Sequence, residues 1–571
     1  MKIFAFLVAI AALLINQPLP PIVTMANQLA AILGFGLVLL LAPAPAPARA
    51  TWRAMAPLLA VFAMAAGACA MSIATGGFPS PPGIGVLGII AIAVAVALHG
   101  ASAGASDPLP FLRAFAIALA AGAVCQAAIA IAQTFAFDHL DNILIAYPSR
   151  RGRAGGNIGQ PNQFADAMLW GLIALVPLAR AWQDRAGRRL ARAGWLLAAL
   201  FIMLGLVLTG SRTPLVALAL VAVWGVADRQ LARPLRIALV ASPFVAVLMS
   251  WGVHVVANAF DVQAAVTERS DATDVTTFRG EIWAQALQLV KAQPWLGVGW
   301  GDFNLAWTLT PFGARNAGLV DNAHNLFLQL AVELGLPAAL LMTGLLLAAL
   351  VLAARRTWRV AGDAGLGARA ALMIVVVMGL HSMLEYPLWY AYLLLPTSWA
   401  FGFVVGTGKA AASPTRVEPA APLRAWRWVG VLMVVLAPSA WLDYLNIVKL
   451  FMPDATSLPL EQRIARAQAS PLFANQADYV AVTNLPITSD TAPLVMRSSH
   501  VLLNGRLMFL WANLLQAQGQ TDKARYMAAR LREFDLSGPR PWFAPCDDAT
   551  VTAKPFQCLA PEHPVTWRDF R

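Results

Sequence analysis

GGNIGQPNQFADAMLWGLIALVPLA, residues 155–179, decides the fold. Its first half is glycine and amide; its second half is apolar enough for a lipid bilayer, so a polar loop runs straight into a membrane span near 164–180. Amides cost free energy in hydrocarbon, and a chain that sets Asn157, Gln160, Asn162 and Gln163 at the mouth of a span implies a use for them.

The rest of the chain extends that reading. Of 571 residues, 59% are hydrophobic and only 12% charged, which separates the chain from soluble domains and makes it an integral membrane protein. Apolar stretches recur at 2–16, 25–42, 56–75, 84–100, 112–134, 164–180, 193–209, 214–228, 236–257, 324–353, 369–385, 389–407 and 427–446. They predict an all-α polytopic membrane protein with about 12–13 transmembrane helices. The first run resembles a signal h-region, but Pro18, Pro20 and Pro21 stand where small cleavage-site residues would, so an uncleaved first span is expected.

The formal net charge is +12, but most of the Lys and Arg residues outside the C-terminal tail sit in short loops between apolar runs, without interleaved aromatics, which argues against nucleic acid as a partner and for membrane lipids. Arg49 and Arg53, Arg185 to Arg192, Arg229 to Arg236, Arg355 to Arg359, and Lys409 to Arg427 all fall between an even-numbered span and the next odd one. By the positive-inside rule the N-terminus is cytoplasmic and residues 448–571 lie on the opposite side. Cys546 and Cys558 sit in that polar tail, a pair able to bridge in an oxidising compartment, while Cys69 and Cys125 lie in apolar spans. Residues 507–534 carry the pattern of a helix pair around a glycine turn, of tetratricopeptide type. The expected organisation is 1–150, N-terminal transmembrane helices; 151–447, a catalytic membrane core with a long outer loop at 258–323; and 448–571, a helical module.

Even-numbered spans open toward the outer face, so their unpaired N–H groups and positive dipole ends gather there. "GQPNQ" (159–163) opens span six behind Arg150, Arg151 and Arg153; "GSRTP" (210–214) opens span eight, where Ser211 can cap and Arg212 adds full charge; "DNAHN" (321–325) opens span ten. Arginines on the side that should be poor in them, Arg269, Arg279 and Arg315 included, suggest local anionic partners. His324, in the first turn of span ten, is expected to favour the neutral form that accepts a proton. Phe278, Ile282, Ala286 and Leu289 share one face of an amphipathic helix that holds Arg279 over the site. "HSMLEYPLWY" (381–390) places His381 and Glu385 at i, i+4, followed by Tyr386, a set too sparse for a metal site. Each motif alone also fits a cap, a turn or a snorkelling anchor; their shared face is what argues for chemistry.

The segments "NIGQPNQFAD", "GSRTP", "FRGEIW", "PWLGVGWGDF", "DNAHNLFLQLAVELGLP" and "HSMLEYPLWY", within about residues 150–395, resemble the O-antigen ligase and polymerase superfamily, and within it the PglL-type bacterial protein O-oligosaccharyltransferases. That resemblance implies an inner-membrane glycosyltransferase of GT-C type, metal-independent and without cofactors. It would move an oligosaccharide en bloc from undecaprenyl pyrophosphate to Ser or Thr hydroxyls of periplasmic or pilin-like proteins. It also implies that His324 is the essential base and that Arg212 and Arg279 bind the pyrophosphate. Arg151, Arg153, Asn157, Gln160 and Asn162 are further candidates for contacts to phosphate or glycan, with Ser211, Asn325, His381, Glu385 and Tyr386 in support. The rivals are an O-antigen ligase acting on lipid A core, an O-antigen polymerase, and a transporter or flippase that would use the same arginines for binding only.

Overall fold

The computed structural model describes all residues except 184–187, 261, 265–273, 313–314, 316–317, 411–422, 453–457, 487–491, 501–502 and 535–538. Arg185, Arg269 and Arg416 therefore lie outside the described residues. Among those described, the chain is helical and contains no strand; one isolated bridge joins Arg150 and Arg153. Among the described residues, nine helices are long and apolar enough to cross a bilayer, and four shorter ones, Lys2–Leu14, Met25–Leu41, Thr213–Ala227 and Ala391–Thr407, coincide with the remaining apolar stretches. The protein is a polytopic all-α membrane protein.

The chain divides into two compact units. The first comprises Met1–Val61, Ile89–Ala272 and Leu345–Trp441. It contains α1 (Lys2–Ala11), α2 (Met25–Leu41), the first half of α3 (Arg49–Ala74) and the greater part of α4 (Ser80–Ser106), then α5 (Pro108–Phe135), α6 (Pro161–Gln183), α7 (Arg188–Leu208), α8 (Thr213–Ala227) and α9 (Arg233–Ala259). Its core is aromatic: Phe6 packs edge-on against Phe35, Phe115 and Trp399, and Trp399 stacks on Phe403. Apolar packing cannot be driven by water inside a bilayer, so close approach matters more. Gly100 and Gly104 on α4 meet the backbone of Trp399 and Phe403, where a Cβ would come within 2.3 Å of each carbonyl oxygen. The buried His99 is held between the Ala42 carbonyl at 2.9 Å and the Trp399 indole at 3.2 Å.

The second unit comprises Phe62–Gly88, Thr273–Gly344 and Leu442–Arg571. Here α10 (Asp274–Ala292) and α11 (Phe303–Leu309) precede the first part of α12 (Leu326–Thr357); from Leu345 onward α12 belongs to the first unit, as do α13 (Gly362–His381), α14 (Ala391–Ala410) and α15 (Arg424–Phe451) as far as Trp441. On α10 the expected apolar face is buried at Ile282, Ala286 and Leu289, whereas Phe278 is exposed. The tail carries α16 (Leu460–Gln468), α17 (Ala474–Asn484), α18 (Ala492–Ser499), α19 (Gly505–Ala517), α20 (Thr521–Glu533) and α21 (Arg540–Asp547). The α19–α20 pair is the helix pair that the sequence indicates: Asn504 caps α19 by accepting from the Leu507 N–H at 3.0 Å, and Gly519 turns the chain with φ +76°.

Helix α12 is broken. Gly335 has φ 81° and ψ 164°, and Pro337 follows. The Val332 and Glu333 carbonyls are thereby released to accept from Val298 (2.8 Å) and Gly299 (3.0 Å), and the Leu336 N–H donates to the Pro294 carbonyl (2.8 Å). Glycine is required on both partners of this pairing. A Cβ on Gly335 would sit 2.3 Å from the Trp295 oxygen, and one on Gly297 would sit 2.4 Å from the Glu333 carbonyl carbon. Interrupted backbone in a span is tolerated because protein, not lipid, satisfies it.

Cys546 and Cys558 are bonded, closing a short loop whose interior is filled by Lys554 donating to the Pro545, Cys546 and Asp548 carbonyls. Opening a native disulfide loop of this size is expected to cost about 3 kcal/mol. Cys546→Ser should therefore raise the rate of limited proteolysis between residues 540 and 560, measured on the full-length protein in detergent. An unchanged digestion pattern would count against the loop's role.

Candidate functional site

The amide-rich loop is built before it is used. Asn157 accepts from the Ala146 N–H (3.0 Å) and donates to the Leu14 (2.7 Å) and Leu144 (2.8 Å) carbonyls, so its amide holds the loop together. Gln133, which the sequence reading passed over, braces the same loop. It donates to the Ala146 and Gly156 carbonyls and accepts from the Gly155 and Gly156 N–H groups. Gln160 caps α6 through the Gln163 N–H at 2.7 Å. Arg153 donates to the Thr209 carbonyl at 3.1 Å, which fastens the loop to the end of α7 just before the GSRTP turn.

Asn162 and Asp166 lie one turn apart on α6, and His381 and Glu385 one turn apart at the end of α13 and in the turn beyond it. The two pairs meet rung to rung. Asn162 Nδ2 donates to Glu385 Oε1 at 3.1 Å, and His381 Nδ1 lies 2.6 Å from Asp166 Oδ2, with both members of this second pair buried. Ser211 joins the upper rung by donating to Asn162 Oδ1 at 2.8 Å. Ser211 thus does not cap α8: the N-cap is Arg212, and the serine hydroxyl bonds across to α6 instead. Pro214 occupies the first turn as expected, Arg212 is exposed at the helix opening, and Gln163 accepts from the Tyr392 hydroxyl. Tyr386 stacks on Tyr390 with ring centroids 6.0 Å apart. A small cavity is bordered by Asn162, Asp166, Thr213, Pro214, Leu380 and His381.

In the second unit, His324 precedes the helix rather than sitting in its first turn, and it is held in the left-handed region at φ 48°. Its neighbours fix it there. The His324 N–H donates to Asn322 Oδ1 (2.9 Å), the Ala323 N–H to Gln329 Oε1 (2.7 Å), and the Trp283 indole to the Ala323 carbonyl (3.0 Å). Asn325 caps α12 by accepting from the Leu328 N–H at 3.0 Å. Arg279 lies one turn before Trp283, on the same face of α10, so the helix that bonds to the histidine loop also carries the arginine.

Arg151 and Arg315 each pair with a carboxylate of their own unit. Arg151 pairs with Asp138 at 2.8 Å on the surface and lies over the Phe137 ring. Arg315 is fully buried, caged by Trp307, Phe312 and Phe534, and paired with Glu533 at 3.0 Å. Burial pulls its guanidinium below the ordinary arginine value, and Glu533 opposes that shift. Among the described residues, no group of three or more His, Cys, Asp or Glu side chains is placed to hold a metal ion.

Residues 197–343 match the family model described as O-Antigen ligase, residues 369–534 that of Virulence factor membrane-bound polymerase, C-terminal, and residues 154–178 that of Protein glycosylation ligase. The chain is 26% identical over 282 residues to the ComP-specific O-oligosaccharyltransferase of Acinetobacter baylyi, covering 49% of each chain. It is 30% identical over 173 residues to the General O-oligosaccharyltransferase of the same organism, covering 29% of this chain and 28% of the other. The chain thus matches about half the length of the first relative and less than a third of the second. The resemblance read from the motifs is present, and the matched stretches contain Asn157, Gln160, Asn162, Ser211, Arg212, Arg279, His324, Asn325, His381, Glu385 and Tyr386.

Proposed function

We propose that this protein is a glycosyltransferase that moves an oligosaccharide from undecaprenyl pyrophosphate to Ser or Thr hydroxyls of a protein acceptor such as a pilin, at the periplasmic face of a bacterial inner membrane. The observation that carries this reading is the corner built by α10 and the DNAHN loop, where the helix bearing Arg279 is bonded through Trp283 to the backbone beside a left-handed His324. A guanidinium and an imidazole carried on these bonded segments suit a reaction that expels a diphosphate and removes a hydroxyl proton.

In this reading His324 takes the acceptor hydroxyl proton as that oxygen attacks the anomeric carbon. The carbon–oxygen bond to pyrophosphate breaks, and its electron pair leaves with the diphosphate. Arg212 and Arg279 neutralise that charge, so no divalent cation is assigned to the step, and a single displacement inverts the anomeric centre. Asn157 and Gln160 build the loop, Arg153 ties it to α7, and Arg151 stays with Asp138. Residues 151–447 form the catalytic membrane core and 448–571 a periplasmic module. The match of residues 154–178 to the family described as Protein glycosylation ligase supports a protein acceptor over a lipid A core or a second glycan.

Reconstituting the protein with lipid-linked oligosaccharide and, separately, a pilin-like protein or lipid A core decides the acceptor. Transfer to the protein, with an inverted linkage, is expected. Product only on lipid A core would move the assignment to a ligase, and retention of configuration would exclude the single displacement.

A further inference from the structure

Asp166 has no part in the mechanism above, yet it is an aspartate inside a candidate membrane span, 2% exposed. A carboxylate in that setting is costly, and it persists where it serves a charge or a proton. Its surroundings show a built device. Asn162 and Asp166 project from one face of α6, and Glu385 and His381 meet them in register from α13 and its following turn, so two polar rungs cross an otherwise apolar contact. The upper rung continues to Ser211, the residue before Arg212. The lower rung borders the cavity that Thr213 and Pro214, the first turn of α8, also line. Asn162 is a two-way bridge: its oxygen accepts from Ser211 and its nitrogen donates to Glu385, so the direction of each hydrogen bond is set by the chemistry of the partners.

We propose that this two-rung ladder is a positioning device for the leaving diphosphate, and that Asp166 is a positioning residue acting through His381. The ladder ties the openings of α6 and α8 to the end of α13 and so fixes where Arg212 and the first N–H groups of α8 point. Asp166 accepts from the Nδ1–H of His381, which sets the ring's tautomer and orientation, as a carboxylate does for a ligating or catalytic imidazole. Apolar side chains would hold α6 against α13 equally well; they would not hold a helix opening in one orientation as negative charge develops in front of it. The inference rests on the transfer reading above and adds Asp166 to it.

The test uses the full-length protein in proteoliposomes, with lipid-linked oligosaccharide as donor and a pilin-like acceptor. Asp166→Asn and His381→Gln are each expected to lower kcat by about 10²-fold, the cost of misplacing a group that acts in the transition state, with the donor KM nearly unchanged. Because the two residues act as one unit, the double variant should fall no further than the worse single variant. Thermal unfolding of each variant in detergent separates this from a fold-only role, which would lower the unfolding temperature and leave kcat of the folded fraction intact. Unchanged kcat in folded variants, or losses that multiply in the double variant, would overturn the proposal. Should Asp166→Asn fail to accumulate, Asp166→Glu, which keeps the charge and moves it by one methylene, carries the same kinetic test. His324→Ala is run beside these: if it transfers as well as wild type, the transfer reading fails, whereas its loss of activity with a wild-type-like Asp166→Asn sinks only the ladder.

Discussion

Alanine at position 324 is expected to reduce glycan transfer by about 10²–10⁴-fold in kcat, the range over which a positioned general base contributes. The donor KM should change little, because binding of the diphosphate is assigned to Arg212 and Arg279 rather than to the imidazole. One structural detail complicates alanine as a probe. His324 sits at φ 48°, a region that histidine, asparagine and aspartate enter more readily than alanine does. His324→Asn is therefore the cleaner substitution, since it accepts the backbone and removes the base. Equal losses in both variants, with normal accumulation in membranes, place the defect in proton transfer. Activity retained in His324→Asn would mean that the loop conformation, not the ring, is what the reaction needs, and the assigned base would have to be abandoned.

The second large effect concerns stability. Arg369 and Asp228, both essentially inaccessible, meet at 2.5 Å; Asp228 also accepts from the Trp224 indole (3.1 Å) and the Gln230 N–H (3.0 Å), while Arg369 donates to the Val360 carbonyl (3.0 Å). Every strong polar group there is answered by another. Removing one partner leaves a buried charge without its counterion, which typically costs 3–5 kcal/mol. Asp228→Ala should lower the unfolding temperature in detergent substantially. Replacing both residues together, Asp228→Leu with Arg369→Met, should recover much of the loss, because no charge is then stranded. A single variant within 1 kcal/mol of wild type, on the scale where buried pairs cost several, would show that water reaches the pair.

The spans were legible because a bilayer imposes length and apolarity on every helix that crosses it, and all thirteen apolar stretches are helical. Helix openings were legible too: Pro214 falls in the first turn of α8 and Asn325 caps α12. What failed was long-range. Ser211 looked like a cap, but its hydroxyl bonds to a residue 49 positions earlier. Arg315 called for an anionic partner, and that anion is Glu533, 218 positions away. No local pattern encodes such separations. Asp166 was missed although a signal existed: an aspartate one turn beyond Asn162 inside an apolar run, and a histidine one turn before Glu385, are matching i, i+4 pairs. The broken backbone at Gly335 was equally hidden, since Gly-Leu-Pro in a helix reads as a kink until the segment pairing with it is known.

That break bears on how the chain is assembled. Leu326–Leu334 rises only about 14 Å at the pitch of an α-helix, half of the roughly 30 Å of hydrocarbon. Neither half of the rod can shield its own severed ends during insertion; they need the Pro294–Gly299 strip, which ribosomes deliver 34 to 42 residues ahead of the groups it pairs with. Biogenesis therefore has a built-in order, in which the receptor segment emerges ahead of the helix that must dock upon it.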